Sequence, residues 1–108
     1  VIGVTTKNVK IIVANDLAVV KNGETNSAVL NLSDCESFNI MITPSATHTW
    51  KADIQWDGVV TEALISSASQ GVKLSSITNV KTPYAKIVIT NLDVDNNRTY
   101  DIDIFKHV

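Results

Sequence analysis

Cys35 stands between two acids in the stretch SDCES, and His48 and His107 are the only histidines that could serve it as a base. A cysteine nucleophile works as a thiolate, and neighbouring negative charge raises the pKa that such chemistry needs lowered. Cys35 therefore reads as a turn residue or a small buried one. Serines are plentiful, but neither a G-x-S-x-G elbow nor an S-x-x-K signature occurs. Asp101 and Asp103 alternate with Tyr100, Ile102 and Ile104. They share one face of a strand, as an acid pair would, although a solvated strand face has the same alternation. No nucleophile stands out, and the sequence reads as that of a non-enzyme without a cofactor.

The loop LDVDNNRTYDID carries the residue types of a cation site. Asp93, Asp95 and Asn97 offer oxygen atoms at alternate positions, as a calcium-binding EF-hand loop begins. The likeness ends there, because Arg98 stands where that loop needs glycine and Ile104 where it needs a bidentate glutamate. A polar turn between two strands is the competing reading.

Two tryptophans, Trp50 and Trp56, lie in HTWKADIQWDG. In a strand, residues 50, 52, 54 and 56 face one way and 51, 53 and 55 the other. Trp50, Ala52, Ile54 and Trp56 then form an apolar face, and Lys51, Asp53 and Gln55 a wet one. Both tryptophans are expected to pack in the sandwich, although Trp56, at the strand end beside Asp57-Gly58, has the alternative of a half-exposed indole with its N–H on a polar partner. Trp56, Asp57 and Tyr84 are the candidates for ligand binding, with a sugar as the natural stacking partner.

The elements that must position these residues are strands. The apolar period is mostly two in VKIIVA (9–14), LAVVK (17–21), SAVLNL (27–32), SFNIMIT (37–43), TWKADIQW (49–56), YAKIVITN (84–91) and RTYDIDIF (98–105). Between them lie ND, KNGETN, SDCE, TPSATH, WDG and DVDNN, all turn chemistry. Asn22-Gly23 tolerates the paired positive φ of a tight type I′ hairpin. Residues 59–80 are ambiguous, since Val60, Leu64 and Ala68 could line a helix while Val59, Thr61, Ala63 and Ile65 alternate. A strand from 59 to 66 and a shorter one at 72–75 are expected. About seven to nine short strands bury their faces most economically in two packed sheets. The expected fold is all-β: an antiparallel, jelly-roll-like β-sandwich, one domain over 1–108, with the first few residues as a flexible arm.

Composition narrows the function classes. A net charge of −2 with mixed signs offers no basic stripe for a phosphate backbone, so nucleic acid is not an expected partner. One cysteine allows no internal disulfide. No apolar run approaches the length of a membrane-spanning helix, and the opening VIGVTTKNVK lacks the long apolar stretch of a signal peptide.

The order LSDCESFNIMI, TWKADIQWDG, VKTPYAKIVITNLD and TYDIDIF resembles small β-sandwich structural proteins encoded by bacterial viruses. The matching positions are Ser37, Phe38, Ile40, Trp50, Ile54, Asp57, Gly58, Pro83, Tyr84, Ile87 and Ile89. The likeness covers roughly residues 30 to 105. It implies a virion accessory role, as head decoration, head fibre or tail-associated module, made in the host cytoplasm and assembled as a homo-oligomer, a trimer by preference. Other virion subunits are the implied partners, and a cell-surface glycan is a further one. The rival from another class is a carbohydrate-binding module of a cell-surface or secreted protein.

Overall fold

The structure, a computed structural model, describes residues 8–108; the expected arm lies in residues 1–7, outside the described residues. The described residues form eight strands and no helix: β1 (Asn8–Val19), β2 (Glu24–Asn31), β3 (Ser37–Pro44), β4 (His48–Trp56), β5 (Val60–Gln70), β6 (Lys73–Ile77), β7 (Tyr84–Asn91) and β8 (Arg98–His107). They make two four-stranded sheets, ordered β1-β8-β3-β6 and β2-β7-β4-β5, with every pairing antiparallel. This is a β-sandwich of jelly-roll type, as the strand pattern predicts.

The core follows from the alternation. Phe38, Ile40 and Ile42 of β3, Trp50, Ala52 and Ile54 of β4, Ile87 and Ile89 of β7, and Tyr100, Ile102 and Ile104 of β8 are all buried. Each large side chain among them contributes about 1.5–3 kcal/mol through its removal from water. These four strands are the inner members of their sheets, where the period of two is regular.

The outer strands differ from expectation, and β-bulges are the reason. Asn15-Asp16, expected as a turn, lies inside the continuous β1. The register of β1 against β8 shifts twice, between Ile12 and Ala14 and between Ala14 and Leu17. An uninterrupted strand would aim Asn15 at the core; one extra residue places Ala14 opposite Ile102 and a second places Leu17 opposite Tyr100 instead. Asp16 adopts φ 55°, and its N–H donates to Asp101 Oδ1 at 2.8 Å. In β5 the inward register falls on Val60, Glu62, Ile65, Ala68 and Gln70, opposite Trp56, Ile54, Ala52, Trp50 and His48. Two bulges stretch that spacing from two toward three, which is why residues 59–80 suggest a helix and a strand at once. The strand runs on to Gln70 rather than ending at 66.

Asn22 and Gly23 both have positive φ, 70° and 84°, as their residue types predict, yet they do not close a hairpin. β1 and β2 belong to different sheets, so the turn is a corner between layers. It is held by the loop after β7: Asn22 N–H donates to Asp93 O and Gly23 N–H to Asn91 O, both at 2.7 Å.

Candidate functional site

The inward face of β4 carries both tryptophans, as expected. Trp50 is fully buried, its Nε1 donates to Gln70 O at 3.0 Å, and its ring lies tilted against Tyr100 with centroids 5.7 Å apart. Gln70 returns the bond from Nε2 to Trp50 O at 2.8 Å and also reaches Ser66 O across the bulge. His48 Nδ1 lies 2.7 Å from Ala46 O, a carbonyl that can only accept, so Nδ1 carries the proton and Nε2 accepts from the Tyr100 hydroxyl at 2.5 Å. Burial pushes the Tyr100 phenol well above its ordinary value. Among the described residues no buried side-chain nitrogen or oxygen at this end of the sandwich is left without a partner.

The alternative of a half-exposed indole on a polar partner is not what the structure has: Trp56 packs inside with Trp50, as expected. It is only 3% exposed, and its Nε1 is buried with no hydrogen-bond partner among the described residues. Its inward position between the pairings to Val60 and Ala85 leaves no open ring face for a sugar to stack on. A buried donor left unpaired costs about 1–3 kcal/mol. The indole borders a slot of about 190 Å³ lined also by Glu62, Ile77, Thr78, Asn79 and Lys81. Glu62 and Lys81 form an ion pair at the slot. The sequence carries no sign of this grouping, because β5, β6 and the segment before β7 meet there only through the packing of two sheets.

The other ligand-binding candidates do come together. Asp57, in a left-handed conformation with φ 49°, donates its N–H to Tyr84 O at 3.1 Å. Asp57, Gly58, Tyr84, Ala85, Lys86 and Val29 line a shallow depression of about 230 Å³. Tyr84 is 53% exposed there and Val29 64%. A phenol ring beside a carboxylate and an ammonium can stack on an apolar face and bond its substituents.

The side chains of Asp93 and Asn97 bond within the loop and to its neighbour, and Asp95 contributes its N–H. Asp93 Oδ1 accepts from the N–H groups of Asp95 and Asn96, and its Oδ2 from Arg98. The Asp95 N–H and the Arg98 guanidinium hold its carboxyl down at about 2. Asn97 Oδ1 accepts from Lys21 N–H. Among the described residues no three His, Cys, Asp or Glu side chains cluster as a metal site.

One grouping escaped the sequence. β3 and β8 pair Ser37 with His107, and Ser37 Oγ lies 2.8 Å from His107 Nδ1. Both line an open depression of about 590 Å³ with Ser33, Asp34, Cys35 and Glu36. Burial pushes the Cys35 thiol up, with Asp34 adding to it against Lys106, so the thiol stays protonated, as the flanking acids suggest. Lys106 is engaged by Asp34 at 2.6 Å, and that bond draws the Asp34 carboxyl down. No carboxylate bonds His107 among the described residues, so the serine–histidine pair lacks the group that would orient it as a base.

No family model matches the sequence, and no curated protein matches it significantly. Solved structures with the same fold do exist. The capsid protein VP2 of infectious bursal disease virus, in a subviral particle, is similar over 94% of this chain at 15% identity with a TM-score of 0.61. The chain spans 33% of that protein's length. A carbohydrate-binding module, CBM36, solved with calcium and xylotriose, is similar over 91% of this chain and 99% of its own, at 14% identity with a TM-score of 0.52. A chitosan-binding module of a chitosanase/glucanase from Paenibacillus sp. is similar over 81% of this chain and 73% of its own, at 10% identity with a TM-score of 0.51. At these identities the likeness concerns the fold. Among the described residues no helix is long and apolar enough to cross a membrane.

Proposed function

We propose that this chain is a non-enzymatic structural module of a bacterial virus particle, a decoration or fibre element that acts through protein–protein contacts and assembles with its own copies and other virion subunits. The observation that carries this reading is the first half of β1. Among the described residues, Asn8–Ile12 pairs in regular register with β8 on one side only, and Val9, Ile11 and Ile12 are exposed, Ile12 by 68%. The other sheet edges are blunted: β5 carries two register shifts, β6 has five residues and begins at Lys73, and β2 opens with the polar run Glu24-Thr-Asn-Ser. Lys10 is the one charge among residues 8–12 of β1, and a straight, largely apolar edge invites pairing. The fold shared with a viral capsid protein agrees with such a role, and a ring of three copies would close the edges against one another.

Light scattering across a range of concentrations tests this. The expected result is a concentration-independent closed oligomer, a trimer by preference, that falls to a folded monomer in Ile12→Lys. A strict monomer at every concentration would overturn the reading.

One observation favours a second reading, a carbohydrate-binding module. Tyr84, Asp57 and Lys86 form an exposed aromatic and charged rim, and carbohydrate-binding modules share the fold. Under it, Tyr84→Ala abolishes retention on a glycan array while the unfolding midpoint stays put; a wild-type chain that binds no glycan removes it.

A further inference from the structure

The sheet that ends in β1 ends on its other side in β6, and the two edges match each other. We propose, resting on assembly of the chain with its own copies, that β1 of one copy pairs antiparallel with β6 of the next, head to tail. Residues 9–12 lie against residues 74–77 in this pairing, with Ile12 opposite Leu74.

Strand direction, side-chain rows and length select this partner. Neighbouring strands alternate in direction along β1, β8, β3 and β6. A second copy set beside β6 in the same orientation therefore lays its β1 antiparallel and continues the alternation. On the outer face Ile12 lies opposite Asp103, Asp103 opposite Met41, and Met41 opposite Leu74, and directly opposed residues share a face. This row ends at both edges in a bare aliphatic side chain, Ile12 at 68% exposure and Leu74 at 70%, so joining the sheets edge to edge sets the two side by side. The same register puts Val9 against the half-buried Ile77 on the inner face and Lys10 against Ser76 on the outer one. The five residues of β6 are too few to template a long strand but as many as residues 8–12, and Lys73 falls opposite Val13, where β1 bulges. Pairing β1 with the β1 of a second copy about a two-fold is the rival. The register that uses all of residues 8–12 then opposes Lys10 to its own counterpart, which like charge disfavours, and Leu74 stays bare. A head-to-tail contact is heterologous and can close a ring of three, whereas β1 on β1 stops at two copies.

A charge swap across the junction tests this, read by light scattering on the full chain. Leu74→Glu alone is expected to reduce the oligomer to a folded monomer, as Ile12→Lys does, and the chain carrying both changes to regain the oligomer, because every junction then opposes a cation to an anion. Both positions are exposed, so neither change reaches the core. Cross-linking supplies the second measurement, in a Cys35→Ser background. Directly opposed Cα atoms of an antiparallel pair lie about 4.5–5.5 Å apart, within reach of a disulfide. Lys10→Cys combined with Ser76→Cys is expected to link copies under mild oxidation, and Lys10→Cys alone to link none. The pairing is overturned, with assembly through β1 left standing, if the oligomer survives Leu74→Glu, if the double charge variant stays monomeric, if the two cysteines form no link in an oligomeric chain, or if Lys10→Cys links to itself. A monomeric wild type overturns both.

Discussion

Trp50 and Trp56 occupy the same face of the same strand, yet the two ends of the sandwich they mark are built differently. Around Trp50, the indole, Gln70, His48 and Tyr100 form a closed set of buried hydrogen bonds, and the neighbouring loop is tied by Asp93 to Arg98 and to two backbone N–H groups. Around Trp56 the indole N–H is unpaired, the turn sits in left-handed backbone at Asp57 and Gly58, and two of the molecule's depressions open. Buried polar groups stabilise when their network is complete and weaken the fold when it is not. One end therefore has its buried polar groups paired, and the other leaves a buried donor unpaired among the described residues.

The largest expected effect is at the complete end. Trp50→Phe removes the donor from the buried Gln70 carbonyl and opens space in the core, for a loss of about 3 kcal/mol in urea unfolding. Tyr100→Phe leaves His48 Nε2 without its donor and is expected to lose about 1–2 kcal/mol by the same measurement. The Asp93 contribution shows as pH dependence. Its carboxyl, held at about 2 rather than the ordinary 3.8, adds stability that is fully present above the ordinary value and is lost as pH falls through it toward 2. Asp93→Asn is expected to lower the unfolding midpoint at neutral pH and to flatten its acid limb, the difference from wild type closing as pH falls through that window. The smallest effect is at the other tryptophan. Trp56→Phe discards a donor that bonds nothing, which offsets the lost volume, and the cost is expected to stay under about 1 kcal/mol. Equal losses at Trp50 and Trp56 would break the contrast between the ends.

The legible part of the structure is local. Val29, Leu30 and their neighbours, and the Trp50-Ala52-Ile54 series, carry their facing in a period of two that one strand displays without reference to any other. Asp57 and Tyr84 stand out in the sequence because an aromatic residue and a turn acid are distinctive types, although their meeting depends on β4 pairing with β7. Where a bulge intervenes the period misleads. The extra residues of β5 make Val60, Leu64 and Ala68 resemble a helix face, and Asn15-Asp16 resembles a turn because the residues that tolerate left-handed backbone in turns also tolerate it in bulges. The alternation places Trp56 inward, but proximity to a Gly-containing turn says nothing of what packs over a strand end, so its depth of burial is not legible there.

By itself the sequence determined the class of fold, the inward face of each regular strand and the positive φ of Asn22 and Gly23, since side-chain period and backbone preference act over a few residues. Tertiary structure alone decided that Asn22-Gly23 joins two sheets rather than two paired strands, that Ser37 meets His107, that Glu62 meets Lys81, and that the Trp56 N–H is left without a partner. Those facts depend on which strands become neighbours, and neighbours in a jelly roll are chosen by burying all the apolar faces at once, a condition on the whole chain that no short stretch of it records.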